Sequence, residues 1–142
     1  ASAATCSGCC ADMSALSGGC ACGAIRYRIT AEPGFSFHCQ CRQCQRSTGT
    51  GHASLFVVPK ESVTVEGRLK YFDQTADDGA TVSRGFCPNC GSPVLGRTTG
   101  SPEVVLVAAA SHDEPARFRP QRVVFHAGAQ PWDHVDPALP VS

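Results

Sequence analysis

The stretch "CPNCG" at residues 87–91 has the form of a zinc knuckle. Two cysteines three positions apart on a tight turn direct both sulfurs at one point, and Gly91 supplies a permissive backbone directly after them. Such a turn provides two metal ligands, whereas a structural zinc ion takes four. The sequence therefore predicts that a second pair of cysteines joins this turn.

The stretch "CAC" at residues 20–22 can supply that pair. In an extended segment, residues i and i+2 face the same side, so we expect Cys20 and Cys22 to present their sulfurs together. Their union with Cys87 and Cys90 would close a long loop, and a metal held there would contribute folding free energy directly. The alternative interpretation is a set of buried or reactive free thiols.

A denser group of cysteines, Cys39, Cys41 and Cys44, lies in "HCQCRQC" at residues 38–44. Steps of two and three residues suit a strand that runs into a helical turn, with the three sulfurs converging. Catalytic zinc typically keeps three protein ligands and an open position, so the number of cysteines favours an open site. Three thiolates would leave the ion with a net charge of about −1, yet still able to hold an incoming thiol as thiolate.

A histidine could close this site instead. His38 is adjacent, but the neighbour of Cys39 in a strand points to the opposite side. His52 could reach the cysteines only if the intervening segment folds back over them.

Composition limits the class of protein. A chain of 142 residues is large enough for one domain with its own core. It carries 12 basic and 12 acidic side chains, which argues against nucleic-acid binding. No apolar run approaches the ~20 residues of a membrane span, and the start lacks the features of a secretory signal. Cysteine clusters in an unsecreted chain indicate metal ligands rather than disulfides, so we expect a cytoplasmic zinc protein.

Nearly every regular segment has the pattern of a strand. "AIRYRIT" at 24–30 alternates apolar and polar residues with a period of two, and a short helix is expected at 42–48. Further strands are predicted at 53–58, 62–66, 68–73, 81–86, 103–110 and 121–126. We therefore expect a mainly β fold in a single domain over residues 13–134, followed by an extended tail at 135–142.

Residues 1–12, which precede the single methionine Met13, are expected to be an extension outside the fold. A third metal site on Cys6, Cys9 and Cys10 is the alternative to a mobile, oxidisable tail.

Three ordered motifs resemble the glutathione-dependent formaldehyde-activating family, whose domain is also found in centromere protein V. They are "GGCACGAIRY", "HCQCRQC" with "STG" close behind, and "RGFCPNCGSPV". The segment "FRPQRVVFHAGAQPW" resembles the family's closing segment, so the likeness runs from about Gly18 to Trp132.

The resemblance implies a fold of zinc-ribbon-like antiparallel sheets, similar to methionine sulfoxide reductase B and to Rab-accessory zinc proteins. It also implies two zinc ions per chain. The structural ion is placed on Cys20, Cys22, Cys87 and Cys90, and the catalytic ion on Cys39, Cys41 and Cys44.

The implied activity joins a small thiol, glutathione, to an aldehyde, formaldehyde, to give S-(hydroxymethyl)glutathione; its reverse is a carbon–sulfur lyase reaction. Arg42 and Arg46, beside the second group of cysteines, are the preferred anchors for substrate carboxylates; Arg26, Arg28 and Arg84 are further candidates. Two other functions stay open: a non-enzymatic zinc module that binds a partner, and a thiol redox or repair enzyme.

Overall fold

The computed structural model describes residues 15–142, so the expectations for the N-terminal extension and its cysteines lie outside the described residues. Within that range the backbone is mainly strand, which confirms the predicted fold class. The strands are β1 Leu16–Gly19, β2 Arg26–Ile29, β3 Ser36–Cys39, β4 Ala53–Pro59, β5 Val63–Glu66, β6 Lys70–Thr75, β7 Thr81–Phe86, β8 Pro93–Thr98, β9 Val104–Ala108 and β10 Arg122–Val124. In the described residues 15–142, α1 is the one α-helix and spans Arg42–Thr48. Short 3-10 turns cover Lys60–Ser62, Ala109–Ser111, Pro115–Arg117 and His126–Gly128.

The strands form two sheets. β1, β2 and β5 make a small antiparallel sheet, and the larger sheet has the order β10-β3-β4-β9-β8-β7-β6. Pairing is antiparallel throughout both sheets except between β10 and β3, which run parallel. Val141 continues this edge by bridging to Val123 in β10. The larger sheet is therefore mixed, with the end of the chain lying along one edge.

The hydrophobic core fills the space between the sheets. In β2 and the residue before it, Ile25, Tyr27 and Ile29 are almost fully buried, while Arg26 and Arg28 are not, as the period-two pattern predicts. They pack in one cluster with buried side chains of β4, β8 and β9, such as Phe56 and Val107. Each buried side chain of this size contributes roughly 1.5–3 kcal/mol through the hydrophobic effect.

Four predicted strands are shorter than expected, and for β9 and β10 the structure shows where each strand is interrupted. β9 ends at Ala108, where a 3-10 turn begins. β10 ends at Val124 because Phe125 adopts a left-handed conformation with φ 55°, which breaks the extended backbone.

The prediction that "CAC" is extended was wrong. β1 ends at Gly19, and a tight turn leads into β2, closed by a hydrogen bond from Gly23 N to Cys20 O of 3.3 Å. No strand was predicted at β1 or β8, and at β3 only the spacing of the cysteines indicated one. β1 is half glycine, β3 has four residues, and β8 begins with a proline, so each lacks a clear alternating pattern. Across residues 15–142, no helix has the length and apolar character needed to cross a membrane.

Candidate functional site

Two turns bring together the four-cysteine cluster of Cys20, Cys22, Cys87 and Cys90. The first pair lies on the turn between β1 and β2, and the second on the turn between β7 and β8. All four sulfurs lie within 4.8 Å of one another, with 3.6 Å between Cys20 and Cys22 and 3.7 Å between Cys22 and Cys87. Sulfurs around a tetrahedral zinc ion, each ~2.3 Å from the metal, are separated by ~3.8 Å. The cluster therefore has the donor set and the size of a closed zinc site.

Backbone and side-chain donors surround these sulfurs. Ile25 N donates to Cys20 Sγ at 3.2 Å, and Asn89 Nδ2 donates to Cys22 Sγ at the same distance. Asn89 N also donates to Cys87 Sγ at 3.4 Å. The turn after Cys87 closes through Gly91 N, 2.8 Å from Cys87 O, and Gly91 has a φ of 80° that favours glycine. These donors offset the negative charge that four thiolates would concentrate here.

One of the two exposed cysteines of the four-cysteine cluster, Cys90, readily carries negative charge. Cys90 is exposed, and its sulfur lies 3.2 Å from the Ser92 hydroxyl. This hydrogen bond and backbone contacts lower the pKa of Cys90 to about 5. The thiol is therefore ready to bind a metal as thiolate at neutral pH.

The end of one strand and the start of a helix form the three-cysteine cluster of Cys39, Cys41 and Cys44. Cys39 is the last residue of β3, Cys41 is the N-cap of α1, and Cys44 lies in the first helical turn. Their sulfurs lie within 4.8 Å of one another. The N-cap geometry explains the approach, because Cys44 N donates to Cys41 Sγ at 3.3 Å. The end of β3 and the start of α1 therefore bring the three sulfurs together, as the spacing of the cysteines in the sequence suggests.

The three sulfurs differ in exposure and charge. Cys39 and Cys44 are buried, whereas Cys41 is partly exposed. Hydrogen bonds from the Cys39 and Cys44 thiols, together with Cys44 N and the positive charge of Arg84, lower the pKa of Cys41 to about 2. The same hydrogen bonding, together with burial, raises the pKa of Cys39. Negative charge therefore collects first on Cys41, at the side of the cluster that solvent reaches.

Neither candidate histidine closes this cluster. His38 Nδ1 lies 2.9 Å from Ser54 Oγ, and His52 Nδ1 lies 3.0 Å from the Asp133 carboxylate. The rings of His38 and His52 instead pack edge to face, with centroids 4.6 Å apart. In the described part of the chain, no histidine or carboxylate joins the three sulfurs as a fourth ligand.

Two buried glutamines, neither of them predicted as a site residue, hold the three-cysteine cluster in place. Gln40 is 1% exposed and donates to Asp133 Oδ2 at 3.0 Å, while its Oε1 lies 2.9 Å from His126 Nδ1. Gln45 Nε2 donates to Gln40 O at 2.9 Å and to Gly128 O at 2.8 Å. A Cβ at Gly128 would lie 2.5 Å from Gln40 O, so only glycine permits this approach. The sequence feature that could have indicated these two glutamines is their alternation with the cysteines in "CQCRQCQ".

The arginines near the three-cysteine cluster have different surroundings. Arg42 and Arg46 lie on the exposed face of α1, and Arg42 donates to Gln45 Oε1. Arg84 in β7 is only partly exposed, and its Nη2 lies 3.7 Å from Cys44 Sγ. Among the described residues, Arg84 is therefore the arginine in direct contact with the sulfurs.

A protein family, a related protein and a solved structure are similar to this chain. The sequence profile of the family described as "Glutathione-dependent formaldehyde-activating enzyme" matches residues 15–128. A Halomonas elongata protein, whose name places it among the glutathione-dependent formaldehyde-activating enzymes, is 30% identical over 113 residues, covering 76% of this chain and 72% of that protein. A crystal structure of a Rhodobacter sphaeroides protein has the same fold, with a TM-score of 0.55 at 21% identity, covering 89% of this chain and 99% of that one. The chain thus belongs to the family of glutathione-dependent formaldehyde-activating enzymes.

Proposed function

We propose that the protein is a zinc-dependent enzyme that makes or cleaves the adduct of a thiol and an aldehyde, similar to S-(hydroxymethyl)glutathione synthase. The observation that carries this proposal is the three-cysteine cluster, with its partly exposed Cys41 and no fourth protein ligand in the described chain. A site of three thiolates has room for a sulfur that comes from the substrate.

Each cluster is proposed to hold one zinc ion. Thiolates are the soft ligands that zinc accepts in tetrahedral sites, and the spacing of the sulfurs in both clusters fits that use. Cys20, Cys22, Cys87 and Cys90 would hold the structural ion that ties the two turns together. Cys39, Cys41 and Cys44 would hold the catalytic ion, whose positive charge keeps an incoming thiol in the thiolate form.

The reaction needs little else from the protein. The thiol sulfur forms a bond to the aldehyde carbon, the carbonyl π electrons move to oxygen, and that oxygen takes up the proton which the thiol released. The reverse reaction breaks the carbon–sulfur bond and returns the proton. Because thiolate attack on formaldehyde is already fast in water, the protein contributes by raising the thiolate fraction and holding the reactants together.

Charge around the site suits an anionic thiol such as glutathione. Arg42 and Arg46 are proposed as anchors for its carboxylates, since both lie on the exposed face of α1 and follow Cys41 closely. Long, solvated arginine side chains can reach a peptide-sized ligand and bind carboxylates through two parallel hydrogen bonds.

An exchange measurement tests the function. Nuclear magnetic resonance can follow how fast formaldehyde and glutathione interconvert with their adduct, with and without the zinc-loaded protein. We expect a modest increase in rate that disappears in Cys41→Ser. Thiol binding without a rate increase would reduce the protein to a thiol-binding module, and the absence of both would favour a module that binds a protein partner.

A further inference from the structure

Arg84 occupies an unusual position on the larger sheet. It lies in the middle of β7, opposite Gly96 of β8 in the ladder, so the neighbouring position on that side has no side chain. Its guanidinium extends to the three-cysteine cluster, where Nη2 lies 3.7 Å from Cys44 Sγ. A cation this close to sulfurs that would be thiolates around a metal would interact with them strongly in this partly buried setting.

The other partners of Arg84 are neutral. Nη1 donates to Gln74 Oε1 at 2.8 Å and lies 3.5 Å from Gln43 Oε1. Among residues 15–142 no carboxylate forms an ion pair with Arg84. The glutamines therefore fix the direction of the guanidinium without neutralising it. Within residues 15–142, Nε–H and one Nη2–H have no acceptor and can bind another group.

We infer that Arg84 binds a carboxylate of the thiol substrate, and that the site selects thiols that carry a carboxylate near their sulfur. This inference rests on the proposed function. The guanidinium presents N–H groups in a rigid fork that matches a carboxylate, and two glutamine side chains hold it beside the sulfurs. Arg84 would act as a specificity residue, in addition to Arg42 and Arg46.

The distances allow one small molecule to use both contacts. If a substrate sulfur joins the cluster at the same spacing as the three cysteine sulfurs, it lies within 4.8 Å of Cys44 Sγ. Since Cys44 Sγ is 3.7 Å from Arg84 Nη2, that sulfur is no more than about 8.5 Å from the guanidinium. Two extended residues span up to ~7 Å and a charge-assisted hydrogen bond adds ~2.8 Å, so a carboxylate on the residue next to the thiol-bearing one can reach Arg84 across that distance.

Thiol binding to cobalt-loaded protein tests this inference, because a new cobalt–sulfur bond changes the absorption spectrum. The probes are glutathione and its diethyl ester, which has the same thiol but no free carboxylate. We expect Arg84→Gln to weaken glutathione binding about tenfold to a hundredfold, the value of a charge-assisted hydrogen bond pair, and to leave ester binding unchanged. Arg84→Lys should give an intermediate loss, because lysine keeps the charge without the fork.

Arg97→Gln is the matched control. Arg97 is in the neighbouring strand β8, one position after Gly96 and hence on the other face, where it stacks on Tyr71 at 4.2 Å. Arg97→Gln removes the same charge from the same sheet. We expect it to have the same effect on the binding of glutathione and of its diethyl ester. Equal losses for glutathione and ester in Arg84→Gln, or no loss for either, would overturn the inference while the proposed function stands. A wild-type spectrum that no thiol changes would overturn the proposed function as well.

Discussion

Removal of the Gln45 side chain tests how the fold supports the three-cysteine cluster. Gln45 is 4% exposed and lies in α1 directly after Cys44. Its amide joins the helix to the backbone of Gln40, between Cys39 and Cys41, and to Gly128 O. Gln45→Ala would leave these two carbonyl groups without a donor.

The expected cost follows from these contacts. A buried acceptor that loses its partner costs ~1–3 kcal/mol, and one that water can reach costs less. Gln40 O is buried, whereas Gly128 O is partly buried, so we expect Gln45→Ala to lower the free energy of unfolding by about 2–4 kcal/mol. A protein with a total stability of ~5–15 kcal/mol would still fold, but its cluster would be less well held.

Urea unfolding of the zinc-loaded protein, followed by circular dichroism, measures this change. Gln43→Ala is the matched control, because the same residue type in the same helix donates to Thr75 O at an exposed position and otherwise has only a 3.5 Å contact with Arg84. We expect that control to lose less than ~1 kcal/mol. A chelator should also remove metal from Gln45→Ala faster than from wild type. If both variants lost equal stability, the buried amide would not be the support inferred from the structure.

Three further predictions concern the metals and acid stability. Cys87→Ser or Cys90→Ser should abolish folding, whereas Cys41→Ser should change the melting temperature much less; equal effects in thermal melts would contradict the assignment of one structural and one catalytic site. Native mass spectrometry should find about two zinc ions per chain, the second leaving more readily under mild chelation; a single chelator-resistant ion would contradict this. Burial alone would raise the pKa of Asp133, but hydrogen bonds from Gln40 and His52 lower it below 3.8. The carboxylate should therefore stabilise the fold above pH ~4 and lose this effect as the pH falls through its lowered pKa, so the stability difference between wild type and Asp133→Asn should shrink in acid.

The fold class was predictable because local patterns agree with the tertiary structure where strands are half-buried. β2 alternates apolar and charged residues, and "CPNCG" forms a turn whose geometry its own residues determine. β1 and β8 were not predicted and β3 was indicated only by its cysteines, because these short or glycine-containing sequences become strands only through their neighbours in the sheets.

The site was partly predictable for the same reason. Cysteine spacing is local, so the grouping of Cys39, Cys41 and Cys44 could be inferred from the sequence, as could the pairing of the two turns. The contact with Arg84 could not, because that residue is 40 positions from Cys44 and approaches it only through the order of strands in the larger sheet. The hydrogen bond from Gln40 to Asp133 could not be inferred either, because Asp133 lies in a loop more than 90 residues along the chain from Gln40.

X-ray absorption on the zinc-loaded protein, with and without glutathione, tests most directly whether the three-cysteine cluster takes its fourth ligand from the substrate. The signal of the four-cysteine cluster is accounted for with a Cys41→Ser sample that holds only the first ion. We predict that glutathione replaces an oxygen or nitrogen neighbour of the second ion with a fourth sulfur at ~2.3 Å. An unchanged set of neighbours in the presence of glutathione, together with loss of the second ion in His52→Ala or His38→Ala, would show instead that a histidine closes the site.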